Sequence, residues 1–255
     1  MSTVKSTHIG ADDAARWGFS VMASIDNPKA SKATAYGYLN AILYMAPADS
    51  AGVGNLCPHA GTCRKLCLGE HSGQASMRKG DEDNSVTLAR KARARAYMTD
   101  RDAFLRHVVK DVGRLEHIAA EMGLRLCYRF NGSTDVSVPA WLCALYPAVT
   151  FIDYTKNPSR MAQYLAGKLP ANYFLTFSRD THNEHLAERF LRQGGNVAVV
   201  FDARPTTWHG FAVVDGDRHD VRTPAMDGRG VVIGLTPKGA KAKRDQSGFI
   251  VRRAA

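Results

Sequence analysis

The chain has 255 residues, of which 45% are hydrophobic and 23% charged, values that are ordinary for a folded globular protein and exclude a disordered one. Its formal net charge is +10, which favours anionic partners such as nucleic acid, nucleotides or phosphorylated small molecules. A solvated basic surface has the same composition, so the net charge does not decide the partner.

No segment approaches the roughly 20 consecutive apolar residues of a membrane span, so we expect no membrane partner. Residues Met1–Gly10 lack the apolar core of a secretory signal. We therefore expect the protein to be cytoplasmic. In that reducing compartment its five cysteines favour metal binding or catalysis over disulfides.

The first half of the chain predicts an arm, a strand, a loop and two helices. Residues 1–34 are predicted to be an N-terminal arm, whose first roughly 20 residues are polar and without a pattern and form a loose arm or a short β element. Residues Ala35–Met45 are apolar and aromatic and predict a strand, whereas residues 51–80 are rich in Gly, Cys, Ser and charge and predict a loop. Ser85–Tyr97 consists largely of strong helix formers, and apolar residues recur at helical spacing from Asp100 to Met122.

After Gly123, short apolar runs alternate with helical stretches, which indicates parallel strands connected by helices. We predict an α/β fold for residues 35–235, a complete or partial β/α barrel with mostly parallel strands that includes the cysteine loop. An open doubly wound sheet is the alternative, although no G-x-G-x-x-G motif follows the early strands. Residues 236–255 form a basic C-terminal segment. The predicted strands are 124–130, 149–154, 173–178, 196–202 and 231–235.

The acidic stretch that begins at Asp215 resembles a calcium-binding loop, but it lacks the twelve-residue ligand pattern and the closing Glu. Asp215-Gly is instead a strong turn signal. We therefore predict a β-hairpin between Phe211–Val214 and Val221–Thr223.

Three cysteines within eleven positions, Cys57, Cys63 and Cys67, are the sharpest signal in the sequence. Thiolates bind soft or borderline metals, and a short Gly-rich loop can bring three sulfurs together. Arg64 and Lys65 favour the thiolate over the thiol. Three thiolates would hold three irons of a 4Fe-4S cluster and leave the fourth iron open to a substrate or cofactor. We therefore predict an iron–sulfur cluster at these cysteines.

Zinc is the alternative metal, because His59 would complete a Cys3His set with the three cysteines. The short spacing between Cys57 and His59 is unlike a zinc knuckle and favours the cluster. Cys127 and Cys143 lie in apolar segments, where buried and unreactive cysteines are expected. Either would supply a fourth ligand only if the fold brought it near the loop.

Polar residues follow the predicted strands, at the edge where a β/α barrel places its active site. Some of these polar residues are expected simply as N-caps of the helices that follow the strands. Asp153 and Tyr154 fall inside a strand pattern, where a carboxylate needs a partner or a role, and we predict that they are catalytic together with Lys156. Lys156 and Arg179 are also suited to anchoring an anion. The predicted cofactor-binding residues are Asn131, Asp135, Ser178, Arg179 and Asp202.

Several segments occur in the order found in one family. They are the cysteine loop, the Ala/Arg-rich helix, Arg129-Phe-Asn-Gly-Ser-Thr-Asp135, Phe151-Ile-Asp-Tyr-Thr-Lys156, Tyr173-Phe-Leu-Thr-Phe-Ser-Arg179, Asn196-Val-Ala-Val-Val-Phe201, Gly234-Leu, Lys238-Gly and Asp245-Gln-Ser-Gly-Phe249. Over residues 35–252 the chain resembles the bacteriophage and prophage gene product 88-like proteins. The resemblance implies a phage origin and the cytoplasm of a bacterial host.

That family is in turn distantly similar to radical S-adenosylmethionine-type iron–sulfur barrels, which makes S-adenosylmethionine a candidate cofactor. The spacing here is C-x5-C-x3-C, and the usual spacing of those enzymes is C-x3-C-x2-C. This departure puts the use of S-adenosylmethionine in question.

Two functions compete. The favoured one is an iron–sulfur enzyme that acts on a nucleotide, a nucleic acid or another anionic substrate, because the strand ends carry more polar chemistry than a scaffold needs. The other is a non-catalytic module that binds nucleic acid or a host protein and contains a structural zinc or iron–sulfur site. In that case the basic C-terminal segment and the helix around Arg90–Arg95 would contact phosphates.

Overall fold

The structure, a computed structural model, describes residues 9–25, 31–71 and 82–252. Its helices are α1 (Ala11–Trp17), α2 (Leu68–His71), α3 (Ser85–Thr99), α4 (Arg101–Glu121), α5 (Ala140–Leu145), α6 (Pro158–Leu165), α7 (Glu184–Arg192), α8 (Pro224–Asp227) and α9 (Gly239–Lys243). Its strands are β1 (Ala23–Ser24), β2 (Tyr38–Leu43), β3 (Arg125–Arg129), β4 (Thr150–Thr155), β5 (Tyr173–Ser178), β6 (Asn196–Val200), β7 (Thr207–Trp208), β8 (Phe211–Asp215) and β9 (Val232–Leu235).

Within the described residues the nine strands form one sheet in the order β1-β2-β3-β4-β5-β6-β9-β8-β7. Strands β2 to β6, β9 and β8 pair in parallel, and only the edge strands β1 and β7 pair antiparallel. The predicted α/β class with mostly parallel strands is confirmed. Closure of this sheet into a barrel stays a prediction.

One face of the sheet carries the main hydrophobic core and is covered by helices. In α4 an apolar stripe at helical spacing, which includes Phe104, Val108 and Leu115, is buried against the sheet. Asn84 begins α3 by accepting a hydrogen bond from the N–H of Thr87 at 2.9 Å, as an N-cap residue does. Among the described helices, none is both long enough and apolar enough to cross a membrane.

The opposite face of the sheet carries a smaller apolar cluster. Side chains alternate between the faces of a strand, so Cys127 and Ile152 point away from the main core, where they pack with Tyr38 and Val221. Cys143 is buried in the main core instead. Both cysteines are therefore packing residues, as their apolar surroundings in the sequence predict.

Residues 9–25 of the predicted arm contain the helix α1 and the short strand β1, and α1 ends at Gly18, which adopts a left-handed conformation. One local prediction is wrong. The hairpin at Asp215 does not form. Strand β8 pairs instead with β7 through the turn His209-Gly210, whose φ angles of 49° and 81° are both positive, as a tight hairpin turn requires. On its other side β8 pairs in parallel with β9. Strand β9 therefore occupies the position beside β8 that the predicted hairpin assigned to Val221–Thr223.

The basic C-terminal segment packs against the sheet. Val251 forms a parallel bridge with Phe201, directly after β6. Ile250 is buried, with only 3% of its surface exposed. Residues 247–251 therefore pass beside the carboxyl ends of the central strands.

Candidate functional site at the carboxyl ends of the strands

A cavity of about 400 Å³ lies at the carboxyl ends of the parallel strands, the edge at which β/α folds bind ligands. The cysteine loop, the ends of β3, β4, β5 and β9, and the C-terminal segment contribute to its wall. Eight predicted site residues line it: Cys57, Cys63, Cys67, Asp135, Tyr154, Lys156, Ser178 and Arg179. Of the others, Asn131 and Asp153 are buried outside the cavity wall, and Asp202 is exposed.

The three loop cysteines are partly buried free thiols on this one wall. Burial raises the pKa of Cys57 to about 12 and that of Cys63 to about 11, and it also raises the pKa of Cys67. Arg64 lowers the pKa of Cys67, the direction expected from its charge, but burial outweighs it. Negative charge on Cys63 and Cys67 raises the pKa of Cys57 further. A thiol with a raised pKa stays protonated near pH 7 unless it binds a cation.

His59 does not line the cavity, although it lies within the same loop. Within the described residues, no three His, Cys, Asp or Glu side chains form a group that could hold a metal ion. The loop thus lines the cavity with its three cysteines and without the histidine of the zinc alternative. The identity of the metal stays a prediction.

Asp180 holds the cysteine loop against the end of β5. Its fully buried carboxylate accepts hydrogen bonds from the N–H groups of Thr62 at 3.2 Å and Cys63 at 3.1 Å. It also accepts one from the N–H of Thr181 at 2.8 Å. Burial by itself raises the pKa of Asp180, but Lys156 and these N–H donors outweigh it, and the pKa lies below its ordinary value.

Sequence reasoning missed Asp180 as a site residue. The residue follows β5 directly, where Asp is common as a helix cap, and it does cap the turn Thr181–Asn183. When only the sequence is known, helix capping is a sufficient reason for an aspartate at position 180. Its second set of donors comes from a segment 117 residues earlier in the chain.

Cys57 is positioned by the loop that follows β3. The N–H of Ala48 donates to its sulfur at 3.3 Å, and the sulfur lies 3.8 Å from the carbonyl oxygen of Ser133, to which it donates. A Cβ on Gly69 would lie 2.8 Å from the Cβ of Ser133, so only glycine permits this approach. Arg90 of α3 donates to the carbonyl of Gly69 at 2.9 Å. The loop therefore rests on both α3 and the strand ends.

Lys156 reaches across the end of β5 toward the cysteine loop. Its ammonium group donates to the hydroxyl of Ser178 at 2.8 Å and to the carbonyl of Arg179 at 3.2 Å, and it lies 3.8 Å from the carboxylate of Asp180. Its charge lowers the pKa of Cys63, although burial keeps that pKa above its ordinary value. Lys156 thus combines a fixed position with an electrostatic effect on one cysteine.

Arg179 anchors the C-terminal segment. Its Nη1 donates to the carbonyl oxygens of Gly248 at 2.6 Å and Phe249 at 2.9 Å, and its Nε donates to Glu184 at 2.8 Å. The predicted role of Arg179 as an anion anchor would have to compete with these three partners. Its observed contacts hold residues 248–249 at the cavity wall.

Asp153 belongs to a buried polar network behind the cavity wall. Its carboxylate accepts hydrogen bonds from the N–H and the side-chain amide of Asn131, each at 2.9 Å, and from the hydroxyl of Tyr173 at 3.1 Å. Arg160 bridges Tyr173 and Asp135, with donor–acceptor distances of 2.6 Å to each. Burial raises the pKa of Asp153, and Arg160 and Asn131 lower it by less. The contacts of Asp153 and Asn131 suit them to positioning the loop after β3.

A second polar group on the cavity wall includes two residues that the sequence did not single out, His219 and Asp220. The guanidinium of Arg129 lies over the ring of Tyr154, 4.7 Å from its centre, and its Nη1 is 3.8 Å from Asp220. Burial, together with Arg222 and Arg218, lowers the pKa of His219 to about 4, so its imidazole is neutral at pH 7. In the sequence, the segment containing His219 and Asp220 gave a turn signal and an incomplete calcium-loop pattern, and neither predicts this group of residues.

The gene product 88 family model matches residues 20–253. This span contains the cysteine loop, the whole parallel sheet and the segment that passes the cavity. No curated protein and no solved structure gives a significant match to the chain. The chain belongs to the gene product 88 family.

Proposed function

We propose that this chain is a phage-encoded iron–sulfur enzyme whose cluster is held by Cys57, Cys63 and Cys67 beside its substrate cavity. One observation carries the proposal. All three cysteines of the motif line a single cavity, at the carboxyl ends of the parallel strands. In α/β folds this edge is where substrates and cofactors bind.

Three cysteines suit an iron–sulfur cluster better than zinc, and their sulfurs, which do not form a metal-holding group in the described structure, would have to draw together to bind it. Each iron of a cubane takes its own thiolate, so three cysteines hold three irons and leave one coordination position for a ligand. A Cys3His zinc site would need His59, which does not line the cavity. When bound, such a cluster supplies one-electron chemistry. S-adenosylmethionine remains a candidate ligand, and a complete or partial barrel is the arrangement that we propose for the parallel strands.

The residues of the chain would position the cluster ligands and the substrate. Asp180 fixes the backbone around Cys63, and Lys156 places a positive charge near the same sulfur. Tyr154 and Lys156 reach the cavity and are our candidates for contact with the substrate. Asp153 would act through Asn131, with which it shares two hydrogen bonds. We propose a nucleotide, a nucleic acid or another anionic molecule as the substrate, consistent with the net charge of +10.

The proposal is tested by iron and acid-labile sulfide analysis of protein purified and reconstituted without oxygen. We expect a brown protein that contains both elements, and Cys57→Ala, Cys63→Ala and Cys67→Ala should each lose most of them, because each removes one ligand. Cys143→Ala is the matched control and should keep the cluster, since its thiol is in the core. A colourless protein with one zinc per chain and no sulfide would contradict the proposal.

A basic helix favours the non-catalytic alternative. In α9 and at its C-cap, the cations Lys241, Lys243 and Arg244 are all exposed within four positions. Such a cluster is suited to phosphate contacts, and the cysteine loop would then be a structural zinc or iron–sulfur site in a module that binds nucleic acid or a host protein. This alternative predicts that removal of the α9 charges abolishes function, whereas the enzyme requires the cavity.

A further inference from the structure

One side of the cavity is apolar. It is formed by the ends of β6 and β9 and by the C-terminal segment, and its residues are Ala198, Val200, Leu235, Pro237, Phe249 and Ile250. We call these six residues the apolar side of the cavity. The proposed roles of the cysteines, Lys156 and Asp180 do not use it.

The strand register places two branched side chains together on this side. Val197 and Val199 of β6 are buried in the main core, so Ala198 and Val200, which alternate with them, point to the opposite face of the sheet. Val200 pairs in register with Leu235 of β9. Both residues line the cavity and are only partly buried, so a bound molecule can contact them.

The chemistry of the cavity changes between β5 and β6. Ser178 of β5 pairs in register with Ala198, and its hydroxyl accepts a hydrogen bond from the ammonium group of Lys156 at 2.8 Å. Neighbouring strands lie only about 4.8 Å apart. A ligand that covers both strands would therefore place its apolar part over β6 and β9 and its polar part toward Lys156.

An aromatic ring is held beside these strands. The carbonyl of Phe249 accepts a hydrogen bond from Nη1 of Arg179 at 2.9 Å, and two residues later the N–H of Val251 donates to the carbonyl of Val200 at 2.8 Å. The ring of Phe249 lies 5.4 Å from Nζ of Lys156, measured to the ring centre. The ring is thus positioned by contacts within the chain, and such preorganisation lowers the cost of binding another apolar group.

The apolar side selects the chemistry of its ligand. A charged or strongly hydrated group would lose its water against Val200 and Leu235, whose side chains offer no hydrogen bond in return. An apolar group would instead release water from these walls. The whole cavity of about 400 Å³ lies within the size range of small-molecule pockets, so a ring fits on this side with a polar group beside it.

We propose that the apolar side of the cavity binds an uncharged ring of the substrate and that Val200 limits the size of this ring. The inference deepens the proposed function by adding an apolar ring to the anionic substrate. It rests on that function only for the use of the same cavity. Aromatic and alicyclic rings share this chemistry, so the experiment includes both.

The test is titration calorimetry of the full chain with benzoate, cyclohexanecarboxylate and galacturonate. Each is a six-membered ring with one carboxylate, and only the ring of galacturonate carries hydroxyl groups. We expect at least one of the two apolar rings to bind about tenfold more tightly than galacturonate. Tighter binding of only one of them would retain the inference and assign the ring as aromatic or alicyclic. Equal affinities for all three compounds, or no binding by any, would overturn it.

A variant locates the binding. Val200→Phe should weaken the affinity for the apolar ring by about tenfold or more, because the new side chain occupies the space of the ligand. Ala212→Phe is the matched control. Ala212 lies in the neighbouring strand β8, is exposed and does not line the cavity, so the affinity should not change. Equal effects of the two variants would overturn the inference.

Two further readouts keep the outcomes distinct. Thermal melting checks that Val200→Phe folds, and Val200→Thr tests the same contact with little change in shape. It should weaken binding of the apolar ring by about threefold, because a hydroxyl replaces a methyl group, and leave galacturonate unaffected. Unchanged ring binding in Val200→Thr would overturn the inference. The titration is done without added iron and repeated after reconstitution, so a failure to form the cluster is a separate result from a failure to bind the ring.

Discussion

The roles of the two buried carboxylates Asp153 and Asp180 depend on which hydrogen-bond donors surround them. Asp153 is fully buried among Asn131, Tyr173 and Arg160 and does not line the cavity. Asp180 is equally buried but binds the backbone of the cysteine loop. Asp153 lies within β4 and Asp180 just after β5, but both are buried, and their partners decide their roles. Catalysis by Asp153 stays a prediction, and its contacts make it a positioning residue for the loop after β3.

Asp180→Asn should destabilise the protein by about 1–3 kcal/mol at pH 7, since hydrogen bonds to a charged acceptor are worth more than those to a neutral one. The folded-state pKa of Asp180 is depressed, so its stabilisation is present above the pKa of the unfolded chain, near about 4, and is lost as the pH falls. Urea unfolding of both proteins between neutral and acidic pH measures this. The difference in free energy of unfolding should be largest at pH 7.

Asp202→Asn is the control for this prediction. Asp202 is exposed and lies 3.7 Å from Arg252, a distance typical of a weak surface pair. Its substitution should change the free energy of unfolding by less than about 0.5 kcal/mol. A pH-independent loss in Asp180→Asn would show that shape, and not charge, is what the loop requires.

At the scale of elements, the site depends on a short loop after β3, residues 131–136. Asn131 organises it by accepting from the hydroxyl of Thr134 at 2.8 Å and from the N–H of Val136 at 3.0 Å. The same loop provides the carbonyl of Ser133 to Cys57 and the carboxylate of Asp135 to the N–H of Lys156 at 2.8 Å. One loop therefore links the cysteines to the end of β4.

Gly132→Ala should destabilise the protein by about 1–3 kcal/mol, the usual range for overpacking a close contact. A new Cβ would lie 2.8 Å from the carbonyl oxygen of Leu43 and 2.6 Å from the ring of Tyr44. The loop would have to move, so the metal content after reconstitution should fall as well. Chemical unfolding and iron analysis measure the two effects.

Gly10→Ala is the matched control for this glycine. Its new Cβ would meet nothing within 4 Å, and we expect a change below about 0.5 kcal/mol with no loss of iron. If Gly132→Ala behaved like this control, the loop after β3 would not be the tight support that its contacts indicate.

The elements themselves were largely predictable. The apolar run Ala35–Met45 contains β2, and the helices expected at Ser85–Tyr97 and after Asp100 are α3 and α4. Hydrophobic periodicity is a local signal, which is why it succeeds here. The hairpin at Asp215 failed because β8 had two other neighbours to pair with, and pairing partners are not a local property.

At the scale of the whole molecule, the net charge of +10 gives a general attraction to polyanions. If α9 is a phosphate-binding helix, the variant Lys241→Ala/Lys243→Ala/Arg244→Ala should bind single-stranded DNA with a weaker salt dependence. Loss of three phosphate contacts lowers the slope of log K against log salt by about 2. Fluorescence anisotropy at several salt concentrations measures it.

A variant with the same change in charge serves as the comparison. Three cations of α4 are exposed at helical spacing, and their replacement removes three charges far from α9 in the sequence: Arg106, Lys110 and Arg114. Equal slopes for the two triple variants would mean that binding follows net charge alone, and α9 would not be a specific phosphate site.

The sequence by itself determined the α/β class, the order of the elements, the cysteine motif and the family, because each depends on local pattern or on residue identity. Only the tertiary structure decided which polar side chains meet. Asp180 reaches Cys63 across 117 positions, and Arg129 faces Asp220 from a different strand end. The physical reason is that a parallel sheet brings distant strand ends to one edge, and the order of its strands cannot be read from residues that are neighbours in the chain.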